Sequence, residues 1–493
     1  MTEFTAPPAQ AAYSTEASSS PVGEGTSSFT LATIFGWAGL NARPRSFLPA
    51  LLLAALTAGM TLGCSFVVEK PPKVLLLGMD GLEWEVLLPL MQAGQLPNFS
   101  ALVDEGVAGR LDTSRPTFSP IIWTSIATGK PPNEHGIRGF VRRGEGERRL
   151  YSSLDRRSKA FWNVLSDYAK RVAVVGWWVT FPVEEINGVM VAQAHTMDQA
   201  RRAKGRAILK GGLRADLAGQ IYPAERSSEL LATHERVQEE LDARLLELFG
   251  PVPATMSPLV ERLWVNTRWA FQADATYLEI AKTLASEEHD LLACYFGGAD
   301  VAGHRFWRYM RPGLYRDQPD RAEYEWFGKV IPKYYGFLDA ALGELRAKLP
   351  PETLVIVLSD HGMRPVNRKQ RFDADDLPAQ INSGHHHGAP PGILIAAGGS
   401  VAPSGEALSD QPTGLPTLGT IYDVLPTLLA TFGLPSAEDL QGKAISEIAA
   451  ENSERVATFD SVEWLEARGA PPGETSSKNG ERLKQLRALG YID

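Results

Sequence analysis

Two short stretches, far apart in the chain, each end a run of β-forming residues with an aspartate. The first is VLLLGMDG, which contains Asp80, and the second is LVIVLSDHGM, in which Asp360 and His361 are adjacent. In open α/β sheets, ligands bind at the edge formed by the carboxyl ends of the strands. Two acids and a histidine at that edge would supply half of the ligands of a two-metal hydrolase centre.

Further ligands of the same chemical types follow other apolar runs. The run LLACYFGGADVAGHRFW contains Asp300 and His304, four residues apart, and His385-His386-His387 lie just before the strand-like run GILIAAG. We expect these residues on loops at the same sheet edge. Carboxylates mixed with imidazoles suit zinc or manganese better than calcium or magnesium. A single strand-end Asp is more often a turn former or helix cap, so the prediction depends on all of these residues meeting.

A hydroxyl that could act as a nucleophile follows the first aspartate along the chain. Ser119 precedes Pro120 and an apolar run that is typical of a helix. This position predicts an N-cap with an exposed hydroxyl, and the first turn of a helix also offers free N–H groups to an anion. From the local sequence alone, a nucleophile and a plain N-cap are equally good interpretations.

The order and spacing of these segments resemble the type I phosphodiesterase/nucleotide pyrophosphatase family of the alkaline phosphatase superfamily. The resemblance extends over roughly residues 70–435. The segments that carry it are MDG at 79–81, LPNFSALVDEGV at 96–107, PTFS at 116–119, the ATG and HGI motifs that follow, INGVMV at 186–191, DVAGH at 300–304, SDHGM at 359–363 and HG at 387–388.

The resemblance implies two zinc or manganese ions and a covalent phospho-enzyme. Ser119 would be the nucleophile, because it lies ten residues before Gly129 of the ATG motif, and Thr117 is the alternative. One ion would be held by Asp80, Asp360 and His361. The other would be held by Asp300, His304 and a later histidine, for which His387 fits best and His386 next. The expected metal ligands, with the nucleophile, are Asp80, Ser119, Asp300, His304, Asp360, His361 and His387.

The chain departs from the family pattern at Phe140. Relatives that hydrolyse nucleotides carry an Asn at the matching position, where it binds a phosphoryl oxygen, so the substitution argues against nucleotide pyrophosphatase activity. A nearby basic residue could replace that donor, or could be a solvated surface charge. The basic residues in question are Lys130, Arg138, Arg142 and Arg143.

Composition bounds the class of protein. The 493 residues are 44% hydrophobic and 22% charged, which is typical of a globular protein. The net charge of −9 and the lack of a basic stripe argue against nucleic-acid binding. Of the two cysteines, Cys294 lies in an apolar strand and is expected to be inert.

The other cysteine ends an apolar run near the N-terminus. Arg43 and Arg45 precede the run 47–62, and Gly63-Cys64 follows it. This pattern predicts a signal peptide with a lipobox-like end, after which Cys64 would be lipidated; the alternative is an uncleaved anchor. Either would attach the enzyme to a membrane and place it in the cell envelope, outside the cytoplasmic membrane.

Alternating apolar and helical runs predict an α/β fold, with an alkaline-phosphatase-like, mostly parallel central sheet flanked by helices. KVLLLGMD, RVAVVGWW, DLLACYFGG, TLVIVLSD and GILIAAG are the expected core strands, and LPNFSALVDEG and KAFWNVLSDYA the expected helices. The catalytic domain would comprise 70–195 and 276–450. A disordered leader and anchor (1–64), a helical cap insertion (196–275) and a tail with a short helix (451–493) would complete the chain.

The cap insertion would lie over the sheet edge, or it could be a surface decoration. Trp264, Trp269 and Phe271 could line a substrate pocket there or belong to the core.

The sequence as a whole predicts a metal-dependent phosphoesterase that forms a phospho-Ser intermediate on a small-molecule phosphate ester. Alternatives within the superfamily are a phosphomonoesterase, a phosphonate hydrolase and a sulfatase-like hydrolase, although Ser119-Pro120 does not fit the sulfatase motif. A metal-dependent mutase ranks lower. An inactive, membrane-tethered binding protein is the alternative outside enzymes. The sequence indicates no oligomeric state.

Overall fold

A nine-stranded sheet forms the centre of the described part of the chain. The structure is a computed structural model and describes residues 73–143, 148–195, 211–367, 369, 371–372, 382–405 and 408–469. The strands are β1 (Val74–Met79), β2 (Gly106–Asp112), β3 (Val172–Val175), β4 (Gly188–Val191), β5 (Ile221–Tyr222), β6 (Leu291–Phe296), β7 (Leu354–Leu358), β8 (Gly392–Ala397) and β9 (Thr417–Thr420). Their order is β9-β2-β8-β7-β1-β6-β3-β4-β5.

The sheet is mostly parallel, which confirms the predicted fold class. β1 pairs in parallel with both β6 and β7, whereas β8 and β5 run antiparallel to their inner neighbours. All five predicted core strands are present, but β8 runs opposite to β7. Its unbroken apolar sequence reflects burial of both faces, which β8 has, and carries no information about strand direction.

Helices cover both faces of this sheet, and the two predicted helices are confirmed as α2 and α5. The helices are α1 (Trp84–Gln92), α2 (Pro97–Asp104), α3 (Ser119–Thr128), α4 (Pro132–His135), α5 (Phe161–Asp167), α6 (Ser227–Glu239), α7 (Leu241–Phe249), α8 (Pro258–Val265), α9 (Arg268–Ala285), α10 (Gly298–Met310), α11 (Arg321–Phe327), α12 (Val330–Arg346), α13 (Val424–Thr431) and α14 (Val462–Gly469).

Shorter elements connect the helices and strands. Two-stranded sheets pair Val141–Arg143 with Arg148–Leu150, Ala194–His195 with Gly211–Gly212, Arg364–Pro365 with Gly384–His385, and Ser436–Ala437 with Arg455–Val456. Single 3₁₀ turns lie at Ser153–Asp155, Ala224–Arg226, Pro312–Leu314, Pro412–Gly414 and Ile421–Asp423.

The core has two parts, one on each face of the sheet. Leu75, Leu77 and Met79 of β1 belong to one cluster, and Val74 and Leu76 belong to the other. Side chains of a strand point alternately to opposite faces, so β1 supports both layers. Helices α9, α10 and α12 bury apolar residues in the first cluster, and α3, α5 and α13 in the second. β1 is thereby held from both sides.

The region predicted as a cap insertion is described from residue 211 and is mainly helical, with α6, α7, α8 and the first part of α9. Trp264 and Phe271 are buried in the core, 7% and 4% exposed, whereas Trp269 lines a cavity. The domain boundaries themselves stay a prediction.

Both chain termini lie outside the described residues. The predicted leader with Cys64, and the predicted helix in the last residues of the chain, cannot be compared with the structure for this reason. Among the residues that are described, no helix is both long and apolar enough to cross a membrane.

Candidate metal centre and active site

The strand-end acids meet at one edge of the sheet. β1 and β7 are parallel neighbours with Gly78 opposite Leu358, so Asp80 and Asp360 leave the sheet at the same end. Asp80, Asp360 and His361 are each at most 1% exposed. The Nε2 atom of His361 lies 3.2 Å from Asp360 Oδ2 and 3.6 Å from Asp80 Oδ1. These three residues form one group whose ligand atoms lie close enough to share a cation.

Two buried aromatic residues orient the carboxylate of Asp80. The Tyr295 hydroxyl donates to Asp80 Oδ2 at 2.6 Å, and Trp123 Nε1 donates to the same oxygen at 2.9 Å. Trp123 can approach because residue 78 is glycine; a Cβ there would lie 2.6 Å from its ring. With Oδ2 held by two donors, Oδ1 is turned toward His361.

Asp300 and His304 lie one helical turn apart at the start of α10, not on a loop as expected. The i, i+4 spacing places both side chains on one face of the helix. The Nδ1 atom of His304 is 2.8 Å from the Gly384 carbonyl oxygen, which can only accept. His304 therefore carries its proton on Nδ1, and its free Nε2 lies 3.4 Å from Asp300 Oδ1.

Asp274 of α9 holds the first turn of α10 in place. Its carboxylate accepts from the backbone N–H groups of Gly297 and Gly298, at 3.0 and 2.9 Å, and from the Tyr334 hydroxyl at 2.8 Å. A side chain at residue 298 would overlap this hydroxyl, which explains the glycine. Burial raises the pKa of Asp274 to about 7.

Of the three consecutive histidines, the structure brings His386 to the acids. His386 forms a second possible metal group with Asp300 and His361, and its ring stacks on that of His361 with centroids 4.2 Å apart. His387, which the sequence favoured, is in neither group found among the described residues; its side chain is exposed, 5.9 Å from the Phe118 ring. The geometry therefore reverses the predicted order of preference.

The buried polar atoms of the cluster are suited to cations. Four of them make no hydrogen bond of acceptable geometry with any described residue, although His361 Nε2 and Asp360 Oδ2 lie close together: Asp80 Oδ1, Asp300 Oδ1, Asp360 Oδ2 and His361 Nε2. Burial, followed by the negative charge of Asp80, raises the pKa of Asp300 to about 8 and that of Asp360 well above its usual value. Unpaired buried carboxylates are costly, and bound cations would keep them ionised.

Ser119 lies at the start of α3, and its N-cap is Phe118, so the predicted N-cap role of Ser119 is wrong. The helix begins one residue earlier than expected: Phe118 is the last extended residue, with φ −95° and ψ 123°, and Pro120 is accommodated within the first turn, where its missing N–H costs no hydrogen bond. Ser119 borders the cavity that Asp80, Asp300 and His386 also line. Its hydroxyl makes no hydrogen bond to any residue that the structure describes, whereas that of Thr117 is bonded to His386.

A cavity of about 590 Å³ opens over the acids, a volume that suits a small-molecule ligand. One wall is aromatic: the Phe140 ring lies 5.8 Å from both Phe118 and Trp178. Another part of the lining comes from α8 and α9 and includes Leu263, Trp269 and Ala270. Phe140 thus contributes an apolar surface where nucleotide-hydrolysing relatives have an amide.

The basic residues considered as substitutes for that amide are largely engaged elsewhere. Lys130 pairs with Asp439 and Asp460 at 2.5 and 2.7 Å, and Arg142 pairs with Asp155 at 2.7 Å. Arg138 is exposed, and the side chain of Arg143 is not described. Lys130, Arg138 and Arg142 do not line the cavity, and the arginines among the described residues that line it are Arg262 and Arg305.

Several site residues were missed by sequence reasoning: Trp123, Tyr295, Asp274, Arg262 and Arg305. Each lies in an apolar or amphipathic run where its local pattern indicates ordinary core or helix surface. Only Tyr295 had a local signal, because it lies in the strand Leu291–Phe296, just before the glycines that precede Asp300.

Comparison with known proteins decides the family. Residues 74–407 match type I phosphodiesterase/nucleotide pyrophosphatase. The chain belongs to this family. Its cluster of Asp and His residues could hold a metal ion.

The search of curated proteins found no match. Among solved structures, phosphonoacetate hydrolase from Sinorhizobium meliloti in complex with phosphonoformate is 19% identical, with a TM-score of 0.35. The alignment covers 60% of this chain and 58% of that enzyme. A mutant of the alkaline phosphatase PafA is 13% identical, with coverages of 77% and 100% and a TM-score of 0.47. Murine ectonucleotide pyrophosphatase/phosphodiesterase 5 is 14% identical, with the same coverages and a TM-score of 0.43.

Proposed function

We propose that the protein is a metal-dependent phosphoesterase that works through a phospho-Ser intermediate on Ser119. The observation that carries the proposal is a group of buried ligand atoms without a hydrogen-bond partner in the described part of the chain, Asp80 Oδ1, Asp300 Oδ1, Asp360 Oδ2 and His361 Nε2, beside the cavity that Ser119 lines. Buried polar atoms without partners are rare, and four on residues of two possible metal groups that share His361 are best explained by cations that belong among them.

The ligands divide into two sets. Asp80, Asp360 and His361 would hold one ion, and Asp300, His304 and His386 would hold the other, with His386 replacing His387 of the sequence-based prediction. Ser119 would contribute its oxygen to the first ion. Carboxylates mixed with imidazoles favour Zn²⁺, with Mn²⁺ as the alternative.

The reaction requires that Ser119 lose its proton and attack phosphorus. When bound, the cations supply positive charge that lowers the pKa of the hydroxyl and balances the charge of the phosphoryl oxygens. The bond from Ser119 Oγ to phosphorus forms as the ester P–O bond breaks, and the leaving oxygen takes up a proton. Water then attacks phosphorus, the P–Oγ bond breaks, and Ser119 is regenerated. Throughout, Tyr295 and Trp123 keep Asp80 oriented.

The substrate is proposed to be a small-molecule phosphate ester. The cavity of about 590 Å³ is compatible with such a ligand, and the Phe118, Phe140 and Trp178 wall favours an apolar or aromatic ester group over a second phosphate. A panel of chromogenic phosphodiesters, phosphomonoesters, phosphonate esters and sulfate esters, with added Zn²⁺ or Mn²⁺, separates the alternatives. Activity on none of them, with no metal bound, would favour the inactive binding protein.

Replacement of the nucleophile tests the mechanism. Ser119→Ala should lower turnover by on the order of 10⁴-fold or more with zinc content unchanged, and Ser119→Thr should retain part of the activity. Ser125→Ala is the matched control: it removes a serine hydroxyl of the same helix that is bonded to His135 at 3.0 Å. Mass spectrometry of acid-quenched wild type should find the phosphoryl group on Ser119. Normal turnover of Ser119→Ala would refute the assignment.

We also propose that Cys64 is lipidated and that the enzyme resides in the cell envelope. The support is the pattern of Arg43 and Arg45, the apolar run 47–62 and the Gly63-Cys64 pair.

A further inference from the structure

The buried hydroxyl of Thr117 makes two contacts with a single residue, His386, which is 269 positions away in the chain. Thr117 Oγ1 lies 3.1 Å from the His386 carbonyl oxygen and 3.1 Å from His386 Nδ1. Thr117 itself is only 3% exposed. One threonine therefore contacts both the backbone and the ring of the same histidine.

These two contacts admit one arrangement of protons. A hydroxyl has a single hydrogen, and a carbonyl oxygen can only accept. If both contacts are hydrogen bonds, Thr117 donates to the His386 carbonyl, and the Nδ1–H of His386 donates to Thr117. His386 is then the neutral tautomer protonated on Nδ1, and its lone pair is on Nε2.

The remaining ring nitrogen belongs to the metal group. His386 has a ligand atom within 4.8 Å of those of Asp300 and His361. With Nδ1 taken up by Thr117, the nitrogen of His386 that is left to bind a cation is Nε2. His304 and His361 also have Nδ1 close to a carbonyl oxygen, of Gly384 at 2.8 Å and of Gly362 at 3.2 Å. His386 differs from both because its Nδ1 partner is a side chain.

We infer that Thr117 is a positioning residue, which fixes the tautomer and orientation of His386 as a ligand of the second cation. The inference rests on the proposed function, because it concerns one of the proposed ligands. It also explains why Thr117 is unsuited to be the nucleophile: its proton and a lone pair are both committed to His386. Partners that orient a metal-binding histidine typically contribute 10–100-fold to metal affinity.

The test is zinc binding by the full chain, measured in competition with a chromogenic chelator. Thr117→Val keeps the shape of the side chain and removes both hydrogen bonds. It should lower the affinity for one zinc ion by roughly 10–100-fold and leave the affinity for the other at the wild-type value. Thr117→Ser keeps the hydroxyl and should bind zinc with nearly the wild-type affinity. The matched control is Thr124→Val, since Thr124 is 2% exposed and its hydroxyl donates to Pro120 O; zinc binding should not change.

A double-mutant cycle separates positioning from a general structural effect. In a His386→Ala background, Thr117→Val should cause no further loss of zinc affinity. An equal loss in both backgrounds, or wild-type affinity in Thr117→Val, would overturn the inference while leaving the proposed function intact. A wild-type chain that holds no zinc would overturn the proposed function and the inference with it. If Thr117→Val does not fold, Thr117→Ala is subject to the same measurements and the same outcomes.

Discussion

The hydrogen bond from Tyr295 to Asp80 is the most informative contact to remove. Burial raises the pKa of Tyr295 well above its usual value, so the phenol is protonated at neutral pH and donates to Asp80 Oδ2 at 2.6 Å. It also accepts from Trp178 Nε1 at 2.7 Å. Tyr295→Phe removes both bonds and changes the shape of the side chain by one oxygen.

The expected loss follows from the kinds of bond involved. A hydrogen bond to a charged acceptor contributes about 1.5–3 kcal/mol, and one between neutral partners about 1 kcal/mol. The free energy of unfolding should therefore fall by about 3 kcal/mol, measured by urea titration in the presence of a chelator. Since Trp123 alone would then orient Asp80, zinc affinity should also fall by roughly 10–100-fold.

Tyr335→Phe is the matched control for this experiment. The Tyr335 hydroxyl is also buried, and its one hydrogen bond to a described residue is accepted from the backbone N–H of Glu83 at 2.9 Å. This variant should lose about 1 kcal/mol of stability and keep its zinc affinity. If Tyr295→Phe binds zinc as tightly as Tyr335→Phe does, the orientation of Asp80 does not depend on Tyr295, and the reasoning fails.

Three other predictions concern other parts of the molecule. Burial lowers the pKa of His135 from 6.5 to about 3, so below pH 6.5 the unfolded chain takes up a proton that the folded chain does not, and the free energy of unfolding falls as the pH falls. The difference in the free energy of unfolding between wild type and His135→Asn should therefore shrink by about 2 kcal/mol between pH 6.5 and 5. A difference that stays constant over this range would contradict the prediction. Phe140→Asn should raise kcat/KM for nucleotide phosphodiesters by about tenfold, because the new amide would add one hydrogen bond of about 1.4 kcal/mol. If the preference among the esters of the panel does not change, Phe140 is not a specificity determinant. Cys64→Ser should release the protein from membranes in the native host, and unchanged membrane fractions would favour the uncleaved anchor.

The sequence was sufficient where one local feature determines the structure. Continuous apolar runs predicted β1, β3, β6 and β7 because strands buried on both faces have little choice of residue. The aspartates after β1 and β7 were predicted at a common edge because parallel strands end together, and the structure brings Asp80 and Asp360 together there. The order of the motifs indicated the family before any contact was known.

Tertiary structure decided between residues that the local sequence cannot distinguish. His385, His386 and His387 are chemically identical neighbours, and only the path of the backbone turns His386 toward Asp300 and His361. Likewise, a Thr and a Ser two residues apart are distinguished by partners rather than by spacing: Thr117 is bonded to His386, and Ser119 faces the cavity. The donors to Asp80 come from positions 123 and 295, in a helix and a strand whose sequences indicate only core. Hydrogen-bond partners so distant along the chain depend on how α3 and β6 pack against β1. That packing cannot be predicted from the sequence of either element alone.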